Sequence, residues 1–173
     1  EISLLSNSVG ILNILRVTKI KNKKIKIFNA CSGLIYEQKV KLITENSKIN
    51  PNSPYGFSKL VSYLMVKYFR ENHGLWCCSG LFFNHESELR PNYYVIKKIT
   101  NYLKKKNKQI LELGNINTSK DWGWAPEYMK IVYKILQKKN PKDLIIATGK
   151  VYSLKNVLKI AFLKKNLDWK KFV

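Results

Sequence analysis

Arginine is almost missing from this chain. Of 32 basic residues set against 11 acidic ones, only Arg16, Arg70 and Arg90 carry a guanidinium, although the formal net charge is +21. A surface this basic attracts anions of many kinds. The planar fork that reads guanine edges and clasps phosphate belongs to arginine, however, and lysine offers only a point charge. The excess therefore reads as solvated lysine faces, and no specific nucleic-acid partner is expected. Long apolar runs are missing too. Nothing approaches the ~18–20 residues of a membrane span, and the first residues lack the basic-then-apolar pattern of a leader, so no membrane partner is expected. Cysteine is scarce and odd in number. Cys77 and Cys78 are adjacent in an apolar run, where neighbouring side chains point to opposite faces, so with Cys31 they read as buried thiols and neither a disulfide framework nor a metal site. A soluble, cytoplasmic setting is the expectation. The chain opens without methionine and inside a helical pattern, so a fragment of a longer protein is also expected.

At 173 residues, 45% of them apolar, there is enough for a real core. Residues 1–18 carry apolar side chains at near-helical spacing. KIKIFNA (24–30) alternates as a strand does, and residues 31–52 are loop-like. Ser53 then Pro54 is a helix start, and the apolar stripe that follows ends at Gly74. WCCSGLFF (76–83) reads as a buried strand, NHESELRP (84–91) as a polar loop and YVIKKITNYLKKK (94–106) as a helix with a wet lysine face. The segment 109–124 reads as a short strand at its start, then a glycine-bearing loop in which Asp121, Trp122 and Gly123 form a turn. A helix at 125–139, a strand at 143–149 and a helix capped by Ser153 complete the chain. Helix, strand, helix, strand is the order of a doubly wound parallel sheet. The expected fold is α/β: residues 1–83 form the second half of a Rossmann-like dinucleotide-binding domain. Residues 84–173 mainly form a smaller mixed α/β lobe, with some segments returning to the sheet.

The stretch SPYGFSK (53–59) sets Tyr55 and Lys59 one turn apart on one helical face. A phenol holds its proton to about pH 10, and a close ammonium favours the phenolate, which is how such a pair becomes an acid/base catalyst near neutrality. Ser32 follows a sheet strand, where open α/β sheets present ligand-binding groups. Serine orients a reacting hydroxyl, tyrosine transfers its proton, and lysine tunes the tyrosine and can hold a cofactor ribose.

Several further stretches, NACSGLIYEQ, NPNSPYGFSK, GLFFNHES, LELGNINTSKDWGWAPEYM and DLIIATGKVYS, span nearly the whole chain. By them it resembles the extended short-chain dehydrogenase/reductase superfamily and, within it, the GDP-mannose 4,6-dehydratase family. NHES and LGN followed by DWG are the specific parts of that resemblance.

The resemblance implies a hydro-lyase of nucleotide-sugar biosynthesis, of the GDP-fucose or GDP-rhamnose type. Such an enzyme dehydrates GDP-mannose with NADP as cofactor and works as a homo-oligomer. By position it implies that Ser32, Tyr55 and Lys59 are catalytic and that Tyr55, Lys59, His85 and Arg90 meet the cofactor. Asn84, Val95, Lys98, Leu113, Gly114, Asn115 and Lys120 would hold the substrate, with Lys120 replacing an arginine. No metal is implied.

Departures accompany it. Leu34 stands where the family has the glutamate that takes the C5 proton, Lys150 stands for a glutamate and Lys155 for an arginine, and the glycine-rich phosphate turn is not in the chain. A related sugar-nucleotide reductase or epimerase, needing no such glutamate, is the second reading. A catalytically impaired remnant or a lysine-rich binding protein is the third.

Overall fold

The computed structural model describes residues 2–38, 40, 42–105 and 109–173. Glu1, Lys39, Lys41 and the Lys106 end of the expected lysine-faced helix lie outside them. The chain divides into two compact units, Glu1–Phe83 with Glu127–Ile146, and Asn84–Pro126 with Ala147–Val173.

In the first unit a helical run, α1 (Ile2–Leu4), a π-helical segment Leu5–Val9 and α2 (Gly10–Lys21), leads into β1 (Ile27–Ser32). The strand starts and ends later than the alternation predicted. Its first pair is Ile27 with Cys77 and its last is Ser32 with Phe82, so the ladder to the neighbouring strand sets its bounds. Helix α3 (Pro54–His73) is capped as expected. Ser53 Oγ accepts from Gly56 N, Pro54 occupies the first turn, and Gly74 closes the helix at φ 64°, a conformation that costs glycine nothing. Strands β1, β2 (Cys77–Phe82) and β5 (Leu144–Ile146) form a parallel sheet in the order β1-β2-β5.

All six residues of β2 are buried, as a parallel strand covered on both faces requires. The adjacent cysteines divide between those faces. Cys77 packs with Leu15, Val66 and Phe69, and Cys78 with Phe82, Ile146 and Tyr128 of α5 (Ala125–Leu136). All three cysteines are free thiols. Burial, with the Asp143 charge second and Arg70 opposing, pushes Cys78 up from 9.0 to about 11.

The raised value in the folded protein means that stability conferred by the neutral thiol is complete below pH 9.0 and is lost as pH rises through about 11. At about pH 10.5, Cys78→Val is expected to retain about 2 kcal/mol that the unaltered protein has lost relative to its neutral-pH stability. Urea titrations across that range measure it; parallel pH profiles for the two proteins would refute the assignment.

The second unit holds β3 (Asn84–Glu86), α4 (Val95–Lys104), β4 (Ser119–Trp124), β6 (Val151–Ser153) and α6 (Leu154–Leu163). Its sheet runs β3-β4-β6, with β3 parallel and β6 antiparallel to β4. Three expectations fail here. NHES is not wholly loop: Asn84, His85 and Glu86 pair with Trp122, Gly123 and Trp124, and that pairing makes a strand of polar residues that local alternation could not reveal. The expected strand at the start of 109–124 does not form. Leu111 is buried among Ile99, Tyr102, Leu158 and Phe162 without a strand partner. The strand comes instead at Ser119–Trp124, which had read as a turn.

Candidate active site

Lys59 lies in the first two turns of α3 and reaches back to the sheet, where its Nζ donates to the carbonyl oxygen of Ala30 at 2.8 Å. Ala30 is two residues before Ser32 at the end of β1, so the contact fixes the ammonium on the strand that carries Ser32. The same Nζ stands 5.6 Å from the centre of the Tyr55 ring, and Tyr55 is 43% exposed. The pair found by spacing is thus a pair in space, held by a carbonyl that the motif does not contain. Burial lowers the pKa of Lys59, against the opposing influence of Cys31. Close approach of α3 to β1 is permitted by small side chains. Ser58 and Ser62 are buried on the helix, and Asn29 Nδ2 donates to the hydroxyls of Ser62 and of Ser79 on β2.

Ser32 is buried at the strand's end, and its Oγ accepts from Leu34 N at 3.2 Å. Leu34 sits in the 3-10 turn Gly33–Ile35 that follows, 39% exposed. A Cβ on Gly56 would come within 2.8 Å of the Leu34 carbonyl oxygen, so this turn lies directly on the start of α3 and only glycine fits there. Glu37, the nearest carboxylate in sequence, pairs with Lys48 at 3.5 Å.

The remaining candidates belong to the second unit. Asn84 Nδ2 donates to the Asp121 carbonyl at 3.2 Å, and His85 lies in the same strand, paired with Gly123. Arg90 stacks its guanidinium over Tyr94 at 3.5 Å, with Nε 3.3 Å from Glu86 Oε2. Burial raises the pKa of Glu86, opposed by Arg90, His85 and Lys120. Val95 and Leu113 pack against the apolar cluster. Lys98 donates to the Glu112 carbonyl at 2.6 Å, which pins the loop leading to Gly114. Gly114 and Asn115 are exposed, and Asn115 Oδ1 accepts from Asn117 N. Lys120 is exposed on β4 opposite Tyr152.

Asp121 was read as part of a turn. It is instead a buried strand residue whose carboxylate caps a different turn, accepting from Thr148 N and Gly149 N. Nothing local in the sequence signals a bond between positions so far apart. Among the described residues no cluster of potential metal ligands forms, and no helix is long and apolar enough to cross a membrane.

A family model described as GDP-mannose 4,6 dehydratase matches residues 2–172. The chain belongs to this family. It is 31% identical over 172 residues to the GDP-mannose 4,6 dehydratase of Drosophila melanogaster, covering 95% of this chain and 44% of that protein. The human GDP-mannose 4,6 dehydratase is 35% identical over 172 residues, covering 94% of this chain and 46% of the relative. The chain therefore spans about half the length of the curated family members it matches. Among solved structures, RMD from Pseudomonas aeruginosa complexed with NADPH superposes with a TM-score of 0.86. Its identity is 19%, and the match covers 95% of this chain and 58% of that one. The likeness shows a shared fold, α/β of Rossmann type.

Proposed function

We propose that the chain is the proton-handling and nucleotide-sugar-binding part of an NADP-dependent GDP-mannose 4,6-dehydratase, acting in the cytoplasm within a homo-oligomer. The observation that carries this reading is the Lys59 ammonium, fixed on Ala30 O at 2.8 Å and beside the Tyr55 ring, in a chain of this family. The first unit would be the second half of the dinucleotide-binding domain. The second unit would take the GDP portion through Asn84, Val95, Lys98, Leu113, Gly114, Asn115 and Lys120.

The residues present suit a nicotinamide cofactor. An ammonium has three donors and Lys59 directs one at Ala30 O, so the others can take a ribose diol. NADP is chosen on family resemblance, and the solved structure of similar fold contained NADPH. When bound, the nicotinamide supplies the acceptor for hydride from sugar C4 and the donor that returns it. Tyr55 takes the C4 hydroxyl proton, Ser32 Oγ holds the C4 oxygen, and Lys59 favours the phenolate form of Tyr55.

Water loss across C5 and C6 needs a further base, and Leu34 cannot be one. That half-exposed leucine favours a second reading, a sugar-nucleotide reductase or epimerase that uses the same serine, tyrosine and lysine without elimination. Incubation with GDP-mannose and NADP separates the two. Dehydration gives a 4-keto product lighter by one water in mass spectrometry. A C4 epimer of unchanged mass, or a 4-keto sugar lighter by two hydrogens with NADPH formed, supports the second reading, and absence of all these products refutes catalysis at this site.

A further inference from the structure

Asp121 is 6% exposed, and both its carboxylate oxygens are engaged by backbone donors. Thr148 N approaches Oδ1 at 3.1 Å and Oδ2 at 3.0 Å, and Gly149 N approaches Oδ2 at 2.8 Å. Among the described residues no ion pair includes it. A buried carboxylate without a cation is costly unless hydrogen bonds repay its desolvation, so these bonds hold the turn firmly. Gly149 takes φ +73°, the left-handed conformation that lets consecutive amides converge on one anion. Lys150 N donating to Thr148 Oγ1 at 3.1 Å tightens the same turn.

Strand β6 begins directly beyond the turn. It has three residues, all paired to β4: Ser119 with Ser153, Lys120 with Tyr152 and Asp121 with Val151. So short a ladder is weak by itself, and the lock at its entrance sets its register. Alternation puts Lys120 and Tyr152 side by side on one face and Asp121 on the other. Lys120 and Tyr152 are both exposed, which gives that face a lysine and a tyrosine at paired backbone positions. This combination suits a nucleotide, with charge for its phosphates and a ring face for its base.

We propose that Asp121 is a positioning residue for nucleotide binding: by locking the Thr148–Gly149 turn it holds Tyr152 beside Lys120. This rests on the reading above that Lys120 meets GDP.

Charge and position make opposite demands here, which allows a clean test. Asp121→Asn removes a negative charge one residue from Lys120, and Coulomb attraction alone would then bind anionic GDP more tightly. Loss of the lock predicts weaker binding, by about tenfold. Isothermal titration of the 173-residue chain with GDP reads the sign, below the melting temperature and with near-UV circular dichroism checking the fold. A role in stability alone would lower the melting temperature and leave GDP affinity unchanged. Gly149→Ala is the second variant. It meets nothing within 4 Å and strains only the left-handed backbone, so it loosens the turn without altering any charge, and it too should weaken GDP binding. Unchanged or tighter binding in folded variants overturns the proposal while leaving the function standing. If the unaltered chain fails to bind GDP, the nucleotide reading falls and this proposal falls with it.

Discussion

Replacing Leu34 by glutamate is expected to speed water loss from GDP-mannose by about two to four orders of magnitude, the usual contribution of a positioned general base. Position 34 can deliver such a group. Its backbone is held at both sides, by the bond from Leu34 N to Ser32 Oγ and by the contact of its carbonyl with the start of α3 at Gly56. Its side chain is partly exposed, so a glutamate there keeps enough water to ionise and removes little core packing. Leu34→Gln supplies the same shape without a basic oxygen and should leave the rate where it started. The comparison is made by mass spectrometry on GDP-mannose with NADP. If Leu34→Glu still oxidises C4, forming NADPH, but loses no water, the missing base belongs elsewhere.

The largest loss of stability is expected from Arg70→Met. Arg70 donates through both terminal nitrogens to the two oxygens of Asp143, at 2.9 and 2.7 Å, and also to the Cys77 carbonyl. Asp143 Oδ1 further accepts from Ser79 N at 2.7 Å. The network joins the end of α3 to β2 and to the residue before β5, and little of either partner is exposed.

Removing the guanidinium strands a carboxylate in the sheet's edge, at about 3–5 kcal/mol. Urea denaturation should show this loss, and the double variant Arg70→Met with Asp143→Leu should lose less than Arg70→Met alone, because no buried charge is left unpaired. A single-variant cost below about 1 kcal/mol, the range of exposed ion pairs, would contradict this account. Arg70→Lys is expected to fall between, since one ammonium cannot make the paired bonds.

Two of the three arginines thereby acquire a reason. In a chain whose positive charge is nearly all lysine, Arg70 stands where a planar fork meets a carboxylate. Arg90 stands where a planar group stacks on Tyr94. Neither use is visible in composition, which counts charges and not geometry.

Much of the candidate site was legible from order along the chain, because Tyr55 and Lys59 lie within one helix turn. Ser53, Pro54 and Gly74 bound α3 by cap rules that act over a few residues, and the Tyr55–Lys59 spacing places both side chains on one face. The apolar run at 76–83 likewise announced a buried strand, and the Cys77–Cys78 pair divides between its two faces because strand geometry leaves no alternative. What failed was non-local. The strand at Asn84–Glu86 exists through its ladder to Trp122–Trp124, and the Ser119–Asp121 part of β4 through its ladder to β6, so neither is marked by its own residues. The anchor of Lys59 on Ala30 and the lock of Asp121 on Thr148 and Gly149 join positions 29 and 27–28 residues apart. By itself the sequence determined the helix-borne Tyr55–Lys59 pair, the buried parallel strand and the family, since these rest on short-range stereochemistry and on consecutive motifs. The tertiary structure alone decided which carbonyl holds the ammonium, which turn the buried carboxylate caps and where the second sheet's strands lie, because long-range hydrogen bonds form only when the chain has brought both partners together.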